Sequence, residues 1–311
     1  MKAARIHEFG SPDVISVDEL ALPTPEHGEV LVRVAGAGVG PWDAWIREHK
    51  SVVQVSLPIT LGSDIAGVVA DVGAGVSQFA IGDQVYGVTN PNFTGGYAEY
   101  AVASESMISS KPASLDFVAA ASAPVVAVTA WQMLFDYAKV ESGQSVLILG
   151  GAGNVGSYAV QMAAQAGVRV FATASSADAE YVRGLGATGV IDYRTTRLED
   201  AVPEVDVVLD LVGGGSLRDS AVTRISTGGM LVSAVSELKQ SAGSNVRGVF
   251  FLVEVTTARL NTLAELFDSG RLKANVGAVV PLSEVRLSHE MLDGAPHPRG
   301  KIVLQIGELQ R

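Results

Sequence analysis

Apolar positions fall into two regimes along this chain. Up to about residue 120 they come as short β-rich runs, Val30–Val34, Gly67–Val72, Gln84–Val88 and Tyr97–Val102, rich in residues that favour strands. Turn signals at Ser11-Pro12-Asp13, Gly73-Ala74-Gly75 and Asn90-Pro91-Asn92 punctuate this region. That rhythm predicts a compact, barrel-like β domain. From Phe117 the segment FVAAASAPVVAVTAWQMLFDYA predicts helix in pieces, broken at Pro124. Runs at Val146–Leu149, Val168–Thr173, Gly189–Ile191, Val205–Val212 and Met230–Ala234 then alternate with helical stretches. Such alternation predicts βαβ units and a parallel sheet covered on both faces, an α/β architecture. Lys301–Ile306 reads as a last strand, and its pattern fits either sheet.

The stretch Ser145–Gly167, SVLILGGAGNVGSYAVQMAAQAG, carries the most chemistry. Gly151, Gly153 and Gly156 form a G-x-G-x-x-G at the end of an apolar run. Val155, Ala159, Met162, Ala163 and Ala166 then recur at three- and four-residue steps, as on one buried helix face. A glycine-rich turn alone has an ordinary structural reading. Set between a strand and a helix, it predicts dinucleotide binding, with the pyrophosphate against the N–H groups at the helix start.

Composition narrows the field. The 311 residues suit two domains or one large one, and 48% hydrophobic residues with 34 glycines suit a glycine-rich α/β enzyme. A formal charge of -11 without a Lys/Arg cluster argues against nucleic-acid binding and against docking on anionic membrane. The chain has no cysteine, which excludes disulfides, thiolate nucleophiles and cysteine-containing zinc sites. MKAARIHEFG contains no apolar h-region and no apolar stretch is long enough to span a bilayer, so a soluble, cytoplasmic protein is expected.

Several ordered motifs then resemble the medium-chain dehydrogenase/reductase superfamily, and within it the zinc-independent, zeta-crystallin-like quinone oxidoreductases. Gly62-Ser63-Asp64-Ile65-Ala66-Gly67-Val68-Val69, Gly82-Asp83-Gln84-Val85-Tyr86-Gly87 and Gly95-Gly96-Tyr97-Ala98-Glu99-Tyr100 match its signatures in the β domain. Thr129-Ala130-Trp131, the glycine motif and Arg299-Gly300-Lys301-Ile302-Val303-Leu304 follow in the family's order. The resemblance implies a GroES-like β-barrel domain, residues 1–122 with 278–311, and a Rossmann domain with a doubly wound parallel sheet, residues 123–277. It also implies a homodimer. Zinc-dependent relatives place a histidine where Ser63 stands and their first ligand near Asp43, so the resemblance implies a zinc-free branch.

The resemblance assigns site residues as well. Gly151, Gly153, Asn154, Val155 and Gly156 would seat the pyrophosphate, and Thr129, Val235, Phe250 and Phe251 would lie toward the nicotinamide. An NAD enzyme would carry Asp or Glu at the end of the second Rossmann strand. Here the chain reads Thr173-Ala174-Ser175-Ser176. Those hydroxyls, with Tyr193 and Arg194, favour NADPH, with NADH also admissible. Asp178 stands where many NADP-using relatives have a cation, and read locally it closes an S-x-x-D capping box with Ser175. Val39–Arg47 resembles the family's "V-N-P-x-D-x-x-x-R", with Gly40 in place of the Asn. By that resemblance Trp42, Asp43 and Trp45 line the substrate pocket, while core packing is the plain alternative for both indoles. A buried strand is likewise the plain reading of Phe250 and Phe251.

No residue is identified as a catalytic acid. The five histidines lack metal-ligand spacing, and His49 alone follows the pocket segment, where a surface residue is the plainer reading. Asp64 and Glu99 read as structural acceptors. The expected function is zinc-independent hydride transfer from NADPH to a quinone-like acceptor. Reduction of an enone or enoyl double bond is the alternative. A cofactor-binding redox sensor or structural protein with little catalysis is the reading from another class.

Overall fold

The computed structural model describes residues 1–213, 215–237 and 246–307. They form two compact units, Met1–Val125 with Val255–Arg311, and Val126–Glu254.

The first unit is built around the strand Glu29–Val39. It pairs antiparallel with Asp64–Val72, Tyr100–Ser104 and Lys301–Gln305. Gln84–Val88 and Ile108–Ser110 extend the sheet on one side and Val276–Pro281 on the other. A second sheet orders Ile15–Glu19, Lys2–Ile6 and Ile59–Thr60. Val32, Val34, Ile65, Val85, Ile108 and Leu304 are buried in one apolar cluster. The register of the long strand shifts between Leu31 and Val32 and between Val34 and Gly36, irregularities that bend a sheet toward a barrel.

The last strand therefore returns to the first unit, bonded to Val39, Gly38, Ala37 and Gly36. Residues 255–277, grouped with the nucleotide-binding segment from sequence, also lie in this unit. The cause is specific bonding by the helix Thr257–Asp268. Thr257 donates to the carbonyls of Glu105 and Ile108, Tyr86 donates to that of Leu260 at 2.6 Å, and Asp268 accepts from Ser114. The strands Lys2–Ile6 and Ile15–Glu19 carry no strong β signal. Lys2–Ile6 is an edge-free strand in the structure, paired on both sides, with Ala3, Ala4 and Ile6 fully buried; tertiary pairing overrides weak local preference there.

The second unit holds a six-stranded parallel sheet in the order Gly189–Asp192, Arg169–Ala174, Ser145–Leu149, Val205–Asp210, Ile225–Ser233, Arg247–Phe250. Counted along the chain this is 3-2-1-4-5-6, the doubly wound arrangement of dinucleotide-binding sheets. Every residue of Ser145–Leu149 is buried, as a central parallel strand requires. The helix Asn154–Gln165 follows. It is buried continuously from Gly156 to Ala163, a broader contact than the single face expected, while Val155 and Ala166 sit at its margins. Pro124 begins the helix Pro124–Trp131 rather than ending one, because its missing N–H costs nothing in a first turn.

Leu304 is fully buried between two strands that join opposite ends of the first unit's sequence. Leu304→Ala should therefore lower the unfolding free energy by about 2–5 kcal/mol. Chemical denaturation should show an earlier transition, and an unchanged curve would contradict the placement of this strand.

Candidate active site

In the second unit, the turn after Ser145–Leu149 is held by its neighbour strand. Thr173 accepts from the Gly151 amide through its carbonyl at 2.9 Å and from the Gly150 amide through its hydroxyl at 2.9 Å. Gly156 lies so close to the turn that an added Cβ would stand 2.1 Å from the Gly150 carbonyl oxygen, and one on Gly151 would stand 2.7 Å from Ala172 Cβ. Gly153 is different. It is exposed, caps the helix Asn154–Gln165, and a Cβ there would meet only the Gly150 oxygen at 3.3 Å. Two glycines thus allow the close packing of strand and helix, and the third leaves the helix start open for a pyrophosphate.

The loops after Val205–Asp210 and Ile225–Ser233 end beside this turn, with Val212 near Gly150 and Val235 near Gly213. Asp210 accepts from the amides of Val212 and Gly213 and from the Ser233 hydroxyl, which fixes both loops. Val235 is 37% exposed. Thr129 is buried on Pro124–Trp131. Phe250 ends the outer strand half-buried, whereas Phe251 is buried with its ring 4.5 Å from that of Tyr137.

Ser175 and Ser176 do not stand free for a phosphate. The Ser175 hydroxyl donates to Asp178 at 2.6 Å, so the two side chains bond each other and Ser175 makes no side-chain cap bond to the helix backbone. Ser176 gives both its amide and its hydroxyl to Asp192, whose carboxyl these bonds and the Arg194 amide hold below the usual range. Tyr193 is exposed, with the Arg194 guanidinium 5.5 Å above its ring. Both side chains border an open cavity of about 490 Å3 that Arg197, Glu199 and Ser220 also line. Asp192 was not singled out from sequence, although it directly precedes Tyr193 on the same strand end.

In the first unit, the helix Pro41–Arg47 carries the pocket segment. Asp43 does not line a pocket. It is fully buried, and its Oδ2 accepts from the Gly40 amide at 2.8 Å and the Tyr97 hydroxyl at 2.8 Å. A three-residue spacing places that carboxylate back over its own helix start, which the motif alone could have told. Burial pushes the Asp43 carboxyl up to about 7 against those two bonds. Arg47 is equally inward, donating to Gly10, Glu48 and Asp293 and facing His289 Nδ1 at 3.0 Å. Burial and that guanidinium bring His289 down to about 3, so its ring is neutral.

Trp45, by contrast, is 46% exposed, and Trp42 is partly so. The Trp42 indole N–H donates to Ser63 at 3.1 Å. Lys301 Nζ lies 4.2 Å from the centre of the Trp42 ring and 3.1 Å from Asp64, which also accepts from the Val125 amide. Glu99 accepts from the Lys2 amide, so both acidic residues are structural acceptors. His49 is exposed and rests against Phe9. Lys301 was read from sequence as the start of a strand and as part of a family motif, with no role of its own; its apolar neighbours Ile302, Val303 and Leu304 hid it.

The fold and the glycine turn define a two-unit protein with a sheet of the dinucleotide-binding class. Models of two families match the chain, "Zinc-binding dehydrogenase" over residues 185–304 and "Alcohol dehydrogenase GroES-like domain" over residues 26–113. Quinone oxidoreductase from Sus scrofa is 32% identical, with 98% of each chain covered. NADPH-dependent alkenal/one oxidoreductase, chloroplastic, from Arabidopsis thaliana is 33% identical over 98% of this chain and 79% of its own. The solved quinone oxidoreductase from Coxiella burnetii superposes with a TM-score of 0.89 at 31% identity, over 99% of both chains. The chain belongs to the medium-chain dehydrogenase/reductase superfamily, in its zeta-crystallin-like quinone oxidoreductase branch.

The residues at the place of the zinc ligands do not fit a metal. Ser63 accepts the Trp42 N–H, Asp43 is turned onto its helix, and the Lys301 ammonium stands beside Asp64. Among the described residues no group of three His, Cys, Asp or Glu side chains is placed to hold a metal ion.

Two outcomes follow from this geometry. Gly156→Ala should abolish measurable dinucleotide binding by calorimetry, since the new methyl cannot coexist with the Gly150 carbonyl. Asp43 keeps its proton up to about pH 7 when folded but releases it near 4 when unfolded. The folded chain thus binds the extra proton between those values and loses stability as pH rises through them. His289 acts with the opposite sign, its contribution being lost as pH falls from about 6.5 toward 3. Melting temperatures of wild type and Asp43→Asn across pH 4–7 should therefore converge or cross in the variant's favour as pH rises. A constant gap would contradict a protonated Asp43.

Proposed function

We propose that this chain transfers hydride from NADPH to a quinone-like acceptor without a metal. The observation that carries the reading is the division of the Pro41–Arg47 segment: its indoles are accessible, while Asp43 and Arg47 are turned into the core. An aromatic surface without a presented acid or base suits a reaction that needs positioning more than proton transfer. The nicotinamide, when bound, supplies the hydride. Gly151, Gly153, Asn154, Val155 and Gly156 hold the pyrophosphate, with Val235 and Phe250 beyond the turn. Trp42 and Trp45 orient a flat acceptor. The names of relatives support the same class of acceptor.

Tyr193 and Arg194 favour the adenosine phosphate of NADPH, while Asp178 and Asp192 oppose its charge. The preference over NADH is accordingly modest. Asp178→Lys should raise NADPH affinity about tenfold by pairing charge with the phosphate and leave NADH affinity within twofold. Fluorescence titration with both cofactors would check this, and tighter wild-type binding of NADH would overturn the NADPH assignment.

Reduction of an enone double bond is the second reading, favoured by the relatives named alkenal/one oxidoreductase and 2-methylene-furan-3-one reductase, the latter from Solanum lycopersicum. Such a product needs a proton on carbon, and no side chain of this segment offers one outward. Assay of a quinone and enone panel separates the readings. Turnover of quinones is expected; enone turnover alone would favour the second, and tight NADPH binding without turnover would favour a sensor. Arg247–Phe250, the last strand of the sheet among the described residues, is where the dimer that the resemblance implies would join two sheets.

A further inference from the structure

We propose that Lys301 is a positioning residue for the acceptor, acting by fixing the indole of Trp42; this rests on the reading above that Trp42 faces the acceptor. Three contacts define the indole's place. Its N–H donates to Ser63 at 3.1 Å. Its face lies 4.2 Å from Lys301 Nζ, within the range of a cation–π contact. Its six-membered ring lies over Gly40, where an added Cβ would stand 2.3 Å from Cζ2. A side chain at position 40 and this placement of Trp42 therefore exclude each other. The glycine and the indole are one substitution in physical terms, and they exchange a polar side chain for an aromatic surface.

Lys301 serves this contact as well as its ion pair with Asp64. It is 1% exposed, on a strand whose next three residues are apolar and buried. Its ammonium is 3.1 Å from the Asp64 carboxylate. Its favourable contacts are thus Coulombic, to the carboxylate on one side and the ring on the other. Room for the lysine stem comes from Gly38, where a Cβ would stand 3.1 Å from Lys301 Cε and 3.0 Å from Asp64 Cβ. Gly38 and Gly40, two residues apart on one chain segment, make space for the cation and for the ring it holds. A buried ammonium is costly to desolvate; here its charge is directed at a partly exposed aromatic surface.

The test compares wild type with Lys301→Met/Asp64→Asn, which removes both charges and leaves no carboxylate unpaired, and with Lys301→Arg, which restores the cation. Kinetics with 1,4-naphthoquinone, cofactor titration and acrylamide quenching would be read, the quenching of Trp42 taken as the difference from each chain's Trp42→Phe counterpart. For the neutral pair we expect KM for the quinone to rise about tenfold, with kcat within threefold and cofactor affinity within twofold. Trp42 quenching should rise about twofold, and Lys301→Arg should recover at least half of both changes. If the neutral pair does not fold, Ser63→Ala decides, since it frees the indole while leaving the ion pair in place; a KM raised about threefold is expected. Unchanged KM and quenching in an active enzyme would overturn the role of Lys301 alone. Failure of the wild type to reduce any quinone or enone would overturn the proposed reaction and this inference together.

Discussion

The buried pair of Asp64 and Lys301 is the interaction on which the first unit depends. It joins the strand Asp64–Val72 to the returning strand Lys301–Gln305 across Glu29–Val39, with the Val125 amide also held by Asp64. Both charges are almost completely removed from water, so neither is tolerable without the other. Burial raises the Asp64 carboxyl and Lys301 pulls it back. The same segment stores further polar groups inward, Asp43 on Tyr97 and Arg47 on Asp293. Its outer surface is left to the two indoles.

The second unit answers to a steric constraint instead. At Gly156 the helix approaches the turn until no side chain fits, and Thr173 ties the turn to the adjacent strand. Rigid amides and an uncovered Gly153 result from the same packing. The adenosine end is less committed. Its serine hydroxyls are already bonded to carboxylates, and Arg194 rests over Tyr193.

Much of this was legible in the sequence, and the exceptions share a cause. The fully apolar run Val146–Leu149, the glycine spacing and the alternation that follows were enough for a doubly wound sheet, because a central parallel strand and a tight turn each demand particular residues. The GroES-like unit and the family came from ordered motifs. Lys2–Ile6 and Ile15–Glu19 were not legible, since their residues carry weak strand preference and one neighbour of the first, Ile59–Thr60, lies far along the chain. The helix Thr257–Asp268 has the same periodicity whichever unit it joins, and only bonds such as Tyr86 to Leu260 assign it. Among site residues, the glycine spacing announced the tight turn that Gly151 and Gly156 make. Asp43 was assigned outward, although its spacing from Gly40 is that of a capping acceptor. Lys301 was hidden by apolar neighbours, and its role depends on Asp64 and Trp42, which no local pattern connects to it.

The returning strand also bears on how the protein is made. Glu29–Val39 leaves the ribosome more than 250 residues before one of its partners, Lys301–Gln305. Until that strand is made, the edge carries unpaired amides and carbonyls beside apolar side chains, the kind of edge that nascent chains use to associate wrongly. The second unit contains all six strands of its sheet within Val126–Glu254 and can close before the first is complete. Completion of the first unit therefore waits for the strand that supplies its buried cation, and chains cut short before Lys301 would carry a half-built barrel and a finished nucleotide fold.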